Sequence, residues 1–320
     1  MAQKKVLLIA GGGTLGTYVS AELLRLGHAV DVICLEENVS HDPSLRFFKG
    51  YATRERLAEM FRETHYDGIV NFIHYKDAEE YKAIHPFLAE NTDHLIFLSS
   101  YRVYADEQHP ITEDAPRLYD VVKDEVFLST ENYAVPKSKC EDYLKKERPN
   151  DPWTIVRPVI SFSKLRLDLL LYSRTRVLEA AEKGQALLLP SLVRDYGAGI
   201  DWAGNSGKLI ANLLFRPEAM RETFTIYSGH GMTWGEVAEA YTEVTGVQIR
   251  WCDEDEFVAS KPNLAKEPWM WIYDRRFDRR IDASKVLRVT GLGANDFRSV
   301  KEGILHEIGL LNWKKTMPIL

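Results

Sequence analysis

Apolar and polar positions follow two alternating patterns along the first half of the chain. Short continuous apolar runs predict buried strands at residues 6–10, 30–35, 68–73, 95–99 and 153–156. Between them, amphipathic stretches with helical spacing predict helices at residues 18–26, 54–64 and 78–89. Strands that alternate with helices in this way indicate an α/β protein with a doubly wound parallel sheet. Ligands of such sheets bind at the carboxyl ends of the strands.

The first predicted strand runs directly into a glycine-rich loop, Gly11-Gly12-Gly13-Thr14-Leu15-Gly16. A strand, a tight turn of small residues and a helix form the arrangement that binds a dinucleotide pyrophosphate. Small residues let the backbone approach the phosphates, and the helix N-terminus supplies N–H groups and positive potential. In the spacing G-x-x-G-x-x-G the first position is Ala10, which fits there if its φ is negative. We therefore predict a Rossmann-type dinucleotide-binding sheet with residues 10–16 at the pyrophosphate.

The second predicted strand ends at Cys34-Leu35-Glu36-Glu37, where dinucleotide-binding proteins place an acidic side chain for the adenosine ribose. The usual position falls on Cys34, and Glu36 lies two residues beyond it. This strand end carries no Arg or Lys for a 2′-phosphate, and two carboxylates would repel one. We expect NAD as the cofactor, with Cys34 and Glu36 near the ribose, and NADP as the alternative.

The alternation of predicted strands and helices ends after about residue 160. A long helical pattern covers residues 165–184, and shorter mixed elements follow it. Because no low-complexity segment, repeat or flexible linker separates the two regions, we expect them to pack together. The sequence predicts a dinucleotide-binding domain at residues 1–160 and a smaller, mainly substrate-binding region at residues 161–320. We expect residues 194–216 to pack back onto the first domain.

Composition and charge narrow the class of protein. The 320 residues, 45% hydrophobic and 28% charged, are ordinary for a globular protein. The net charge of −6 argues against nucleic acid or a membrane surface as a partner. No apolar run has the length of a signal or membrane-spanning segment, so we expect a cytoplasmic protein. The three cysteines are far apart and no histidines have ligand spacing, so we expect buried free thiols and no metal.

A phenol and an ammonium group stand four residues apart at Tyr133 and Lys137, a spacing that brings both to one face of a helix. Tyrosine, with an ordinary pKa of about 10, is a poor base, but a nearby cation favours the phenolate. The spacing alone is weak evidence, because Tyr119 and Lys123 repeat it. Pro136 is comfortable only in the first turn of a helix, so the helix should begin close to residue 132 or 133.

The fourth predicted strand opens at Ser99-Ser100 into a polar loop, where a hydroxyl could polarise a substrate oxygen. With the glycine loop, the Tyr133 and Lys137 pair and the later Val156-Arg157-Pro158, this order of motifs resembles the extended short-chain dehydrogenase/reductase superfamily, in its NAD-dependent epimerase/dehydratase family. The resemblance implies that Ser100, four residues before Tyr104, is the catalytic hydroxyl. It implies that Tyr133 is the general base and that Lys137 favours the phenolate and holds the nicotinamide ribose.

The same resemblance extends to binding residues elsewhere in the chain. Val193-Arg194-Asp195-Tyr196 is similar to a family stretch that carries a phosphate-binding arginine. The segment 274–285 resembles the end of the family's sugar-nucleotide region and contains four arginines, of which we select Arg275 and Arg276 as substrate ligands. Further candidates near the reacting groups are Tyr101 for the substrate and His74, Arg157 and Pro158 for the cofactor.

The reaction that we expect is hydride transfer at a ring carbon of a nucleotide sugar, with Tyr133 as the base. Sugar 4,6-dehydratases need an Asp-Glu pair directly after the catalytic hydroxyl, and Tyr101-Arg102 cannot supply it. A 4-epimerase or a reductase is therefore favoured, acting as a homodimer by analogy with the family. One alternative is a carbonyl reductase for a small substrate. The other is a non-catalytic RNA-binding relative of the fold, because some short segments are also similar to chloroplast stem-loop RNA-binding proteins.

Overall fold

The computed structural model describes residues 2–311 and is built around a sheet of seven strands. The described residues form eleven strands in all, which are β1 Lys5–Ile9, β2 Ala29–Cys34, β3 Leu45–Lys49, β4 Gly68–Asn71, β5 Leu95–Leu98, β6 Trp153–Pro158, β7 Ile160–Phe162, β8 Ala186–Pro190, β9 Ile200–Trp202, β10 Thr223–Ile226 and β11 Gln248–Cys252. The main sheet has the order β10-β6-β5-β4-β1-β2-β3, and every neighbouring pair is parallel. This confirms the predicted doubly wound parallel sheet.

Helices cover both faces of the main sheet. They are α1 Thr14–Arg25, α2 Arg54–Glu63, α3 Ala78–Ala89, α4 Leu118–Val121, α5 Glu125–Thr130, α6 Ala134–Glu147, α7 Arg174–Lys183, α8 Ala203–Leu213, α9 Trp234–Thr245, α10 Glu254–Ala259, α11 Ser284–Thr290 and α12 Val300–Leu310. Alternate side chains of β1 point to opposite faces. Val6 and Leu8 belong to the core that includes α1 and α8, whereas Leu7 and Ile9 belong to the core formed with α2 and α3.

The crevice that binds ligands in this class of sheet forms where the strand order reverses. Here β1 pairs with β2 on one side and with β4 on the other, so the chain turns in opposite directions from β1. The carboxyl ends of β1 and β4 therefore mark the position for a bound ligand. The glycine loop follows β1 at this point.

The second half of the chain contributes directly to the main sheet. β10 pairs with β6 as the outermost strand, although it lies well beyond residue 160. α8, within the segment 194–216, packs against α1 so closely that a Cβ on Gly207 would lie 2.6 Å from the Tyr18 Cβ atom. Two further strand pairs, β7 with β9 and β8 with β11, form small separate sheets. A boundary at residue 160 thus does not separate the sheet from the rest of the chain.

One predicted element differs clearly from the structure. The helical pattern at residues 165–184 yields only α7, because Ser173 caps the helix by accepting a hydrogen bond from the Arg176 backbone N–H. Before α7 the chain forms turns instead, and the backbones of Ser163 and Arg166 hydrogen-bond to each other. The buried leucines at 167, 169 and 170 belong to this turn segment and pack into the core.

The described residues add two further observations. No helix within residues 2–311 is long and apolar enough to cross a membrane. Cys34, Cys140 and Cys252 are free and buried, as the sequence predicts.

Candidate active site

A cleft of about 570 Å³ opens at the carboxyl edge of the main sheet. The glycine loop and the loops after β5 and β6 form its walls. The predicted site residues that line it are Ala10, Gly13, Thr14, Leu15, Gly16, Ser100, Tyr101, Tyr133, Pro158 and Arg275. The structure therefore brings the predicted pyrophosphate loop and two of the three predicted catalytic residues to one cavity.

The glycine loop is held tightly against its own helix. A Cβ on Gly16 would lie 2.1 Å from the carbonyl oxygen of Gly11, and a Cβ on Gly11 would lie 2.7 Å from the Leu8 Cβ atom. Ala10 has a φ of 57°, so the condition of a negative φ at this position is not met. The Ala10 N–H donates to the Ile33 carbonyl oxygen at 2.8 Å, which joins the loop to β2. An alanine in this region costs about 1–2 kcal/mol.

Of the two residues expected near the adenosine ribose, only Glu36 presents a carboxylate to the loop. A Cβ on Gly12 would lie 2.4 Å from its Oε2 atom. Cys34 is buried, and its Sγ atom accepts a hydrogen bond from the Asn38 amide at 3.6 Å. Burial raises the pKa of the Cys34 thiol. Glu36 is thus the side chain with the charge and the position to contact a ribose.

Ser100 and Tyr133 line the cleft, and Lys137 lies next to Tyr133. Tyr133 is the residue before α6, so Pro136 occupies the first helical turn, as predicted. The Lys137 Nζ atom lies 5.3 Å from the centre of the Tyr133 ring and donates a hydrogen bond to the Leu98 carbonyl oxygen at 2.5 Å. Lys137 itself is buried behind the cleft wall. The buried Ser100 hydroxyl accepts from the Arg102 backbone N–H at 3.2 Å.

Two further side chains flank Tyr133. The Arg102 Cζ atom lies 4.8 Å from the centre of the Tyr133 ring, and the guanidinium group approaches Glu131 at 3.3 Å and Asp274 at 3.5 Å. The His74 ring lies 5.1 Å from the Tyr133 ring. Partial burial of the imidazole, together with the charge of Lys137, lowers the pKa of His74. His74 reaches the Tyr133 side of the site without lining the cleft.

Sequence reasoning did not assign Arg102 a role at the site. It considered this residue only as the replacement for the carboxylates that a dehydratase would need. The signal that could have identified it is its place in the loop, two residues after Ser100.

Arg157 lies behind the cleft rather than in it. The side chain is buried, with Nε 2.9 Å and Nη2 2.5 Å from the two carboxylate oxygens of Glu141. Burial by itself would raise the pKa of Glu141, but the charge and hydrogen bonds of Arg157 outweigh it and lower this pKa to about 2. Ser99 adds a hydrogen bond to the same carboxylate at 2.5 Å. Arg157 therefore ties the carboxyl end of β6 to α6, and of the two residues only Pro158 lines the cavity.

The three arginines predicted to bind substrate lie in different surroundings. Arg275 reaches the cleft wall, but its guanidinium group donates to the Leu170 carbonyl oxygen at 2.8 Å, to the Tyr101 hydroxyl at 2.7 Å and to Asp274. Arg276 is exposed and lies 3.2 Å from a Glu254 oxygen. Arg194 is exposed beside the Trp251 ring, at 5.5 Å. The structure does not bring Arg194 or Arg276 to the cleft.

A second cleft, of about 840 Å³, adjoins the first and shares Arg102 and Met270 with it. Its walls are the end of α5, the start of α7, and residues 260–264 and 266–269. The reacting groups around Tyr133 therefore lie close to the junction of two cavities. One contains the glycine loop, and the other is large enough for a small-molecule substrate.

No family model matches this sequence, and no curated protein is significantly similar to it. Solved structures are similar over almost the whole chain. The epimerase Mth375 from Methanothermobacter thermautotrophicus has a TM-score of 0.70 at 16% identity, covering 98% of this chain and 94% of that chain. The Bordetella bronchiseptica enzyme WbmH, in complex with NAD+, has a TM-score of 0.68 at 16% identity, covering 97% and 99%. The UDP-N-acetylglucosamine 4-epimerase from Bacillus cereus has a TM-score of 0.68 at 15% identity, covering 99% and 99%. The chain thus has the fold of these α/β enzymes.

Proposed function

We propose that this protein is an NAD-dependent enzyme that transfers hydride at a ring carbon of a nucleotide sugar, with Tyr133 as the acid/base group. One observation carries the proposal: the glycine loop, Ser100 and Tyr133 line a single cleft, with the Lys137 ammonium group 5.3 Å from the Tyr133 ring. A similar solved structure supports the cofactor and the substrate class, since the Bordetella bronchiseptica enzyme WbmG was crystallised with NAD and UDP.

The residues of the glycine loop fit a dinucleotide. The close contacts at Gly11, Gly12 and Gly16 exclude side chains there, while Gly13 has no protein atom within 4 Å of an added Cβ and faces the cleft. Backbone N–H groups at the start of α1 can therefore reach a pyrophosphate. The Glu36 carboxylate would bind the ribose hydroxyls and repel a 2′-phosphate, which favours NAD over NADP. Bound NAD supplies the acceptor and donor of hydride.

The proton chemistry is assigned to this chain's own side chains. The Tyr133 phenol oxygen is the group that takes the proton of a sugar hydroxyl and returns it, and the Lys137 and Arg102 cations lie 5.3 Å and 4.8 Å from its ring centre. The Leu98 carbonyl oxygen holds the Lys137 ammonium group in place. Because Ser100 already accepts a hydrogen bond from the Arg102 backbone, its own proton is available for the substrate oxygen. These groups suffice for epimerisation or reduction.

A 4,6-dehydration fits this cleft less well than either of those reactions. That reaction needs carboxyl groups to remove a second proton and to protonate the departing hydroxyl. Among the described residues that line the first cleft, none is Asp or Glu. We therefore favour a 4-epimerase or a reductase.

A second candidate is the reduction of a small carbonyl compound. The exposed position of Arg194, outside both clefts, favours it, because this arginine was expected to recognise a nucleotide diphosphate. A homodimer remains part of the proposal. By analogy with the family, α3 and α6 would form its interface, and these helices lie side by side, with the Tyr81 and Tyr143 rings 6.1 Å apart. Light scattering on the purified protein would measure the dimer mass.

Replacing Tyr133 with phenylalanine tests the proposed reaction. General acid/base catalysis contributes roughly 10²- to 10⁴-fold, so the variant should lose at least about 10²-fold in turnover of its nucleotide sugar while it still binds NAD. Tyr119→Phe is the matched control, because Tyr119 has the same spacing to a lysine but lies outside the first cleft. An unchanged rate in Tyr133→Phe, measured on a panel of UDP-sugars, would refute the assignment.

A further inference from the structure

Two cationic side chains, Lys261 and the exposed Arg176, line the second cleft. The Lys261 Nζ atom lies over the Tyr172 ring, 2.8 Å from its centre, and 5.5 Å from the centre of the Phe257 ring. Arg176, on the first turn of α7, donates a hydrogen bond to the neutral Gln185 amide oxygen at 3.1 Å. Within residues 2–311, neither Lys261 nor Arg176 forms an ion pair with a carboxylate; their contacts are the Tyr172 ring and the Gln185 amide oxygen.

The surroundings of Lys261 disfavour its charge. Burial, followed by repulsion from Arg176, lowers the pKa of Lys261 to about 7. Other cations near the reacting groups are neutralised, since Arg275 contacts Asp274 and Asp168, and Arg102 contacts Glu131. An anion placed between Lys261 and Arg176 would remove this repulsion.

We infer that the second cleft binds an anionic group of the substrate, a phosphoryl or a carboxylate, through Arg176 and Lys261. This rests on the proposed function, because the substrate reacts at Tyr133 and the two clefts join beside it, at Arg102 and Met270. It assigns anion recognition to residues that the sequence motifs did not indicate.

Other features of the second cleft agree with this role. Ser173 and Arg176 belong to the N-terminus of α7, whose helix dipole adds positive potential at the same wall. Glu131, which also lines this cleft, does not compete for the two cations. Its Oε2 atom accepts hydrogen bonds from the backbone N–H groups of Tyr133 at 2.9 Å and Val135 at 3.0 Å, while Oε1 contacts Arg102.

The inference predicts a pH dependence of anion binding. The charged and titratable groups that share the cleft with Lys261 are Tyr172, Arg176, Arg102, Glu131, Lys266 and Glu267. Below pH 7 the Lys261 amine is already protonated when the anion binds. Above pH 7 the amine must take up a proton for the anion to bind. Affinity should therefore fall above about pH 7, by up to about tenfold per pH unit. Lys261→Arg keeps its charge and should bind the anion with little dependence on pH in this range.

The test is calorimetric titration of the full-length protein with UDP and, separately, with glucuronate. Uridine, which carries no charge, serves as the reference ligand. Lys261→Met and Arg176→Met should each weaken binding of one anion by about tenfold or more, while uridine and NAD bind as before. The preferred ligand tells whether the recognised group is phosphoryl or carboxylate. Lys183→Met, at the far end of α7, is the control and should bind like the wild type.

Wild-type affinity of the Lys261→Met, Arg176→Met double variant for both anions would overturn the inference. So would a pH dependence in Lys261→Arg equal to that of the wild type. These results are independent of the enzyme assignment, which depends on Tyr133. Turnover that requires Tyr133 while both anions bind normally to the double variant would retain the proposed function and refute the anion site.

Discussion

Gly13→Ala tests whether a pyrophosphate lies over the glycine loop. A Cβ at this position would meet no protein atom within 4 Å, and the φ of −85° is accessible to alanine. Gly13 lines the first cleft, so the added methyl group would occupy space that only a bound ligand uses. The substitution should therefore weaken NAD binding without disturbing the fold.

The size of the effect follows from contact energetics. A methyl group forced into a filled contact costs about 1–3 kcal/mol. Since about 1.4 kcal/mol corresponds to a tenfold change, the Kd for NAD should rise roughly 5- to 150-fold. Alanine is a poorer N-cap than glycine, but it also lowers the entropy of the unfolded chain. The two effects offset each other, so the free energy of unfolding should change by less than about 1 kcal/mol.

Two related substitutions separate binding from folding. Gly16→Ala places a Cβ 2.1 Å from the Gly11 carbonyl oxygen, so it should lower both stability and NAD affinity. Gly309→Ala, at an exposed position of α12 with no atom within 4 Å of the added Cβ, should leave NAD affinity unchanged. Titration calorimetry and urea unfolding measure both quantities. If Gly13→Ala binds NAD like the wild type, the pyrophosphate does not contact this loop.

Three other expectations concern single side chains. Glu141→Gln leaves the buried charge of Arg157 without its partner and should lower the free energy of unfolding by about 3–5 kcal/mol in urea. Because the pKa of Glu141 is lowered to about 2 in the folded state, its contribution to wild-type stability is present above about pH 4.3 and is lost as the pH falls toward 2. The free energy of unfolding of Glu141→Gln should therefore not show this loss between about pH 4.3 and pH 2. Ser100→Ala should lower kcat by about 10²- to 10³-fold with unchanged NAD affinity, and equal rates would remove Ser100 from the mechanism. In competitive titrations, Glu36→Ala should lower the affinity for NAD roughly tenfold and leave the affinity for NADP unchanged. An equal loss of affinity for both dinucleotides would contradict the ribose contact.

The hydrophobic pattern predicts the inner strands of the sheet well. β1, β4 and β5 are covered on both faces, so their sequences are continuous apolar runs. The edge strand β3 was not predicted, because Leu45-Arg46-Phe47-Phe48-Lys49 is only partly buried and mixes polar with apolar positions. β10 is short, and its place beside β6 depends on a pairing between distant parts of the chain.

Side-chain placement at the site was harder to predict than the backbone. The spacing of Tyr133 and Lys137 and the position of Ser100 follow from local structure, since one helix and one strand end carry them. Arg275 is different, because the carboxylate of Asp168 that engages it comes from a turn more than one hundred residues earlier in the sequence. Motif resemblance identifies such a residue but not the partners that its guanidinium group finds in the folded chain.

A crystal structure of the protein with NAD tests the central claim most directly. We expect the pyrophosphate over residues 10–16 and the nicotinamide ring in the first cleft, beside the Tyr133 hydroxyl and close to Ser100. A dinucleotide bound elsewhere, or a nicotinamide ring remote from Tyr133, would contradict it.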